Sequence, residues 1–203
     1  MSQVSQTDRD LVRLHWPPEL RPAFDALFAI DDAMAEVVRT AREPMLAAIK
    51  LTWWRDSLEK LDAEPAPAEP RLQAAARELL PRGVSGSSLA ALEDGWAALL
   101  EEGPDERRLV ARGAVLFMLA ARLLDDDGAG LGAAGRLWAG ADLTRRFGRV
   151  MPPPVDLSRF GKRVRPLTGL AMLANRDAQD GAPEAEATPG RSWVLLKHRY
   201  TGR

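Results

Sequence analysis

Residues 20–38 read LRPAFDALFAIDDAMAEVV. Leu20, Phe24, Leu27, Met34 and Val38 recur at steps of three, four and seven, which places them on one face of a helix. Pro22 sits in the opening turn, where a missing amide donor costs least. A carboxylate, Asp31, falls inside the apolar stripe and must be paired, hydrated in a cavity or protonated. Pairing with an interior arginine is the favoured reading.

The same pattern spreads outward. A short helix is expected over 8–16, capped by Thr7 and stopped by Pro17 and Pro18. Glu43 and Pro44 open a third helix, which runs through Trp53 and Trp54 to residue 61. Further helices are expected over 71–80, 88–102, 104–124, 131–150, 157–174 and 191–199, with a proline-rich loop at 62–70 and Pro152, Pro153 and Pro154 as the sharpest stop. Ala and Leu dominate the apolar set, whereas Ile occurs twice and Tyr once. Strands favour β-branched and aromatic residues, so the pattern predicts an all-α, single-domain bundle of eight to nine helices. Its parts would be a helical domain over 1–175, a flexible connection over 176–190, and a C-terminal helix with a basic tail over 191–203.

Composition excludes several chemistries. The chain has 203 residues, 46% of them hydrophobic, and 28 basic against 29 acidic side chains. That near-neutral balance removes any overall attraction to nucleic acid. There is no Cys and only two His, His15 and His198, so thiolate chemistry is excluded and no metal centre is expected. Residues 1–9 lack the apolar core of a secretory signal, and the longest apolar run, between Arg112 and Arg122, is short of the roughly 20 residues that cross a bilayer. A cytoplasmic protein is expected, with peripheral contact at the inner face of the membrane as the furthest excursion.

Three stretches carry a family likeness: Leu27-Phe28-Ala29-Ile30, Arg42-Glu43-Pro44-Met45-Leu46 and Trp53-Trp54-Arg55-Asp56-Ser57-Leu58, joined by Lys197 to Arg203 at the C-terminus. Together they resemble the squalene/phytoene synthase family, which implies the all-α isoprenoid-synthase bundle around a central cavity. Active members join two prenyl diphosphates, and their chemistry needs Mg²⁺ held by carboxylates one helical turn apart on facing helices. Here the family alignment puts Asp32 in place of the expected diphosphate-binding Arg, and Ala35 and Arg39 in place of the metal-binding Asp residues. Glu36 is the one carboxylate left nearby. In the second motif, Ala139, Asp142 and Arg146 stand where Gln, Asn and Asp are expected, and Arg145 matches.

The likeness therefore points to the divergent branch that includes an assembly factor of respiratory complex I. It implies a non-catalytic binding or assembly protein with no cofactor. The alternative is a working Mg²⁺-dependent prenyltransferase drawing its catalytic groups from Asp31, Asp32, Glu36 and Asp142. A third reading is a metal-free isoprenoid or lipid carrier. Candidate binding residues are Arg39, Arg145, Arg146, Arg149, Trp53 and Trp54. Their partners would be an isoprenoid, an anionic lipid or a protein of a membrane complex. The two indoles would line the cavity or serve as core and docking anchors.

Residues 136–165 carry eight cations, Arg136, Arg145, Arg146, Arg149, Arg159, Lys162, Arg163 and Arg165, against Asp142 and Asp156. Either this is a basic face for an anionic partner, or these cations pair with the acidic remainder of the chain. Arg55 and Glu59, four apart, are expected to pair on a helix surface. Asp125, Asp126 and Asp127 read as a solvated turn, and His15, without a nucleophile or base beside it, as structural.

Overall fold

The computed structural model describes residues 6–157 and 160–202. Among the described residues all regular structure is helical: α1 (Asp8–His15), α2 (Arg21–Thr40), α3 (Pro44–Lys60), α4 (Pro70–Glu78), α5 (Gly86–Ala90), α6 (Glu93–Ala97), α7 (Glu106–Leu123), α8 (Gly132–Phe147), α9 (Arg165–Asp180) and α10 (Pro189–Thr201), with three short 3₁₀ turns. Residues 1–5, 158–159 and 203, Arg159 included, lie outside the description. No helix among the described residues is long and apolar enough to cross a membrane.

Local chemistry sets most helix ends. The Thr7 hydroxyl accepts from the Asp10 amide while the Asp10 carboxylate accepts from the Thr7 amide, a reciprocal cap that starts α1. Asp105, Ser85 and Thr188 cap α7, α5 and α10 one way only, each accepting from a first-turn amide. Asp62, in the loop expected to be an exposed linker, accepts from the amides of Gly86 and Ser87 and so anchors the start of α5.

Several expected boundaries move. The helix expected over 88–102 is broken into α5, α6 and a 3₁₀ turn, and Trp96 of α6 is fully buried. The helix expected over 104–124 begins two residues later, after its Asp105 cap. α8 stops at Phe147 because Gly148 takes a left-handed conformation, φ +64°, so Arg149 is off the helix. The helix expected over 157–174 begins at Arg165, with Pro166 in the first turn where its fixed φ suits a start. It also runs on to Asp180, so the first five residues of the expected flexible connection are helical. Arg55 pairs with Asp56 and, at 4.0 Å, with Glu93 instead of Glu59.

The core is one continuous apolar cluster. A chain of rings, Trp16, Phe24, Phe28, Trp138 and Phe117, runs through it with centroids 4.5–5.9 Å apart, joining the end of α1 to α2, α8 and α7. Such ring pairs add about 0.5–1.5 kcal/mol each beyond area burial. α7 and α8 cross closely at glycines. A Cβ on Gly113 would lie 2.0 Å from the Gly135 carbonyl oxygen, and one on Gly135 would lie 2.2 Å from that of Gly113. This crossing brings Arg112 of α7 level with Asp142 of α8.

Candidate functional site

Six charged side chains from four helices form one alternating chain. Arg9 of α1 donates two hydrogen bonds to Asp32 of α2, at 2.7 and 2.9 Å. Asp32 also accepts from Arg146 of α8 at 2.7 Å, and Arg146 donates through Nε to Asp142 at 2.7 Å. Asp142 accepts from Arg112 Nη2 at 2.5 Å, and Arg112 Nη1 reaches both oxygens of Asp31 at 2.9 and 3.0 Å. The Trp96 indole closes the chain with a bond to Asp31 of 2.9 Å. Three carboxylates face three guanidiniums, so the interior carries no net charge, which is the condition for burying it.

Depth decides the electrostatics. Asp31 and Arg112 are fully buried. Burial pushes the Asp31 carboxyl up, with Arg112 opposing it. For Asp142 burial acts the same way, but Arg112, Arg146 and Arg9 outweigh it and hold the carboxyl below its ordinary range. Asp32 is held down likewise, by Arg9 and Arg146 against the cost of burial. The Arg112 guanidinium also stacks 3.9 Å from the Trp96 ring centroid and 5.4 Å from that of Trp138.

A second cluster ties the C-terminal helix to the rest. Arg191 of α10, fully buried, donates to Asp177 of α9 at 2.6 and 3.2 Å and to Asp8 of α1 at 2.8 Å. Arg145 of α8 joins at Asp177, 2.5 Å away, and at the Glu184 carbonyl. Glu184 and Ala187, from the segment expected to be flexible, donate their amides to Asp177 and Asp8.

Between the two clusters opens a pocket of about 660 Å³, walled by α2, α8 and α9. Trp138, Phe147, Leu170 and Leu173 supply apolar wall, and Arg9, Arg39, Arg71, Arg145, Arg146 and Arg191 supply cations. Asp32, Ala35, Glu36 and Arg39 all line it, as do Asp142, Arg145 and Arg146. Glu36 is exposed and bonded to Arg39.

The residues present do not fit Mg²⁺. Ala35 offers no ligand atom, Arg39 and Arg146 carry the wrong charge, and Asp31, Asp32 and Asp142 already accept from guanidiniums. Among the described residues no three His, Cys, Asp or Glu side chains converge as a metal site.

The remaining candidates separate. Trp54 is buried, whereas Trp53 is half exposed and stands edge-on to it at 5.3 Å. Trp53 belongs to an outward stripe of α3 with Met45, Leu46 and Ile49, and neither indole lines the pocket. Arg149 pairs with Glu106 at the surface. The basic segment is therefore not one face: Arg145 and Arg146 point inward to acids, Arg149 leaves the helix, and Lys162, Arg163 and Arg165 lie elsewhere. Asp126 and Asp127 accept from the amides of Gly128 and Ala129, the expected solvated turn.

Sequence reasoning missed Arg9, Trp96, Arg112, Asp177 and Arg191. Arg112 was legible in principle, since it interrupts the buried stripe Leu109, Gly113, Leu116, Phe117 and Ala120 as Asp31 interrupts its own. Geometry thus defines an all-α bundle with an arginine-bridged interior and an amphipathic pocket. Comparisons with protein-family models, curated proteins and solved structures give no match.

Proposed function

We propose that this chain is a non-catalytic binding protein of the squalene/phytoene synthase type. The observation that carries the reading is the chain Arg9–Asp32–Arg146–Asp142–Arg112–Asp31. On the two helices where such a synthase would hold its metal ions, every interior carboxylate is engaged by arginine. Displacing those arginines would expose buried charges at a cost of several kcal/mol, about 3–5 for a broken pair. What remains is a recess with apolar wall and a rim of arginines, of which Arg71 alone has no carboxylate partner among the described residues, and it suits an isoprenoid or lipid with a small anionic end. The outward stripe of α3 favours a second reading, an assembly protein that docks on a partner through Met45, Ile49 and Trp53.

Purified protein given farnesyl or geranylgeranyl diphosphate with Mg²⁺ and NADPH is expected to yield no squalene or phytoene. A prenyl diphosphate is expected to raise the melting temperature equally with and without Mg²⁺. Product formed at an ordinary enzymatic rate, about 1–10³ per second, would overturn the reading in favour of a working transferase. Absence of any ligand-induced shift would move the weight to the α3 stripe.

A further inference from the structure

A second recess, of about 1100 Å³, shares no lining residue with the central pocket. It lies at the opposite ends of α1, α9 and α10: Asp8, Asp177 and Arg191 belong to the pocket, while His15, Arg165 and Arg199 line the recess. Seven cations, Arg21, Arg82, Arg122, Lys162, Arg163, Arg165 and Arg199, stand against two acids, Glu19 and Asp125.

These cations differ from those of the pocket in what they touch. Arg163 donates to the Asp125 carbonyl, Arg165 to the carbonyls of Arg199 and Tyr200, Arg199 to that of His15, and Arg21 to those of Leu14 and Trp16. A carbonyl fixes a guanidinium in place without cancelling its charge. Of the seven, Arg82 alone has a carboxylate partner among the described residues, Glu78. Arg122 and Lys162 have no bonded partner there. The field is felt nearby: burial first, then Arg199, pushes His15 down, and burial followed by Arg165 pushes His198 down to about 4.

Beside the cations runs an apolar stripe. Trp193, Leu196 and Tyr200 follow one another at three and four residues along α10, and all are exposed, Trp193 by 66% and Tyr200 by 75%. Tyr200 is itself part of the recess wall, as is Leu14, another exposed apolar residue. Trp and Tyr rings standing out of a helix next to uncompensated cations match the layered chemistry of a bilayer surface, where phosphates lie over an interface that accepts amphipathic rings.

We infer that this recess, with the exposed face of α10 that runs back from it, docks on an anionic membrane surface, lipid phosphates in the cationic recess and Tyr200, Leu196 and Trp193 along the headgroup layer. The assignment does not rest on what the central pocket holds. Co-sedimentation with vesicles of phosphatidylcholine alone, and with equal parts phosphatidylcholine and phosphatidylglycerol, tests it. The protein is expected on the mixed vesicles only, and less of it at high salt. Arg122→Gln/Lys162→Gln removes two unpartnered surface cations and is expected to weaken binding roughly thirty-fold at low salt. Trp193→Ala/Tyr200→Ala is expected to weaken it at both salt levels, and Arg107→Gln, exposed at the other end of α7 from Arg122, to sediment like the parent. Equal binding to both vesicle types, an unchanged Arg122→Gln/Lys162→Gln variant, or a loss with Arg107→Gln would overturn the docking surface. Failure to sediment, with inorganic diphosphate raising the melting temperature of the parent but not of Arg122→Gln/Lys162→Gln, would overturn the membrane in favour of a soluble anion.

Discussion

Asp31 sits at the blind end of the charge chain, with no exposed surface and three donor contacts from Arg112 and Trp96. Removing it strands Arg112, which has only Asp142 left, inside a low-dielectric core. Asp31→Ala is therefore expected to destabilise the fold by about 3–5 kcal/mol in urea titrations. Its effect should not add to that of Arg112→Ala, because the two share one interaction. A change below about 1 kcal/mol would mean that water reaches the site. Arg145 and Arg149, both within the helix expected over 131–150, should likewise part company. Arg145 bonds to fully buried Asp177, so Arg145→Gln is expected to cost about 1–3 kcal/mol. Arg149 meets Glu106 in solvent, and Arg149→Gln should stay within about 0.5 kcal/mol. Thermal unfolding of the two variants checks the contrast, and equal losses would contradict it.

At the scale of elements, the site depends on how closely α7 and α8 approach. With Cβ atoms at 113 and 135 the helices would have to separate, because the obstruction is backbone carbonyl and cannot swing aside. Separation would also draw Arg112 away from Asp142. Gly113→Ala and Gly135→Ala are each expected to destabilise by about 1–3 kcal/mol or more, despite the better helix propensity of Ala. Gly161→Ala is the control: no atom lies within 4 Å of its added Cβ and its φ is not left-handed, so little change is expected. If the three alanine variants unfold at the same denaturant concentration, the close crossing does not constrain the bundle.

The whole molecule should respond to acid through His198, which joins α10 to α9 by a 2.8 Å bond to the Thr168 hydroxyl while its Nδ1 has no partner among the described residues. Burial, then Arg165 and His15, lowers its pKa from 6.5 to about 4. The folded state therefore resists protonation more than the unfolded chain does. Its contribution is complete above pH 6.5, falls as pH drops toward 4, and levels off below that, a loss of about 3 kcal/mol in all. Urea titrations across this range should show that slope in the parent and a shallower one in His198→Gln. Parallel slopes would show that His198 does not titrate with folding.

Helix content, most caps and the apolar stripes were legible from sequence because each is set within a turn or two: a 3.6-residue period, a hydroxyl three residues from an amide, a proline in an opening turn. The apolar stripe of α2 also flagged Asp31 as a charge needing a partner. Which partner it meets, Arg112, lies 81 residues away and is selected by the glycine crossing that brings α7 against α8. The ends of α8 and α9 turned on Gly148 and Pro166, single residues whose weight against a continuing periodicity only the folded chain resolves. Net charge over a segment says nothing about whether an arginine meets a carboxylate or a carbonyl, and that difference separates the sealed interior from the open cationic recess. Long side chains reach across helices, so charge pairing belongs to the tertiary arrangement, whereas helix formation and amphipathicity belong to the sequence alone.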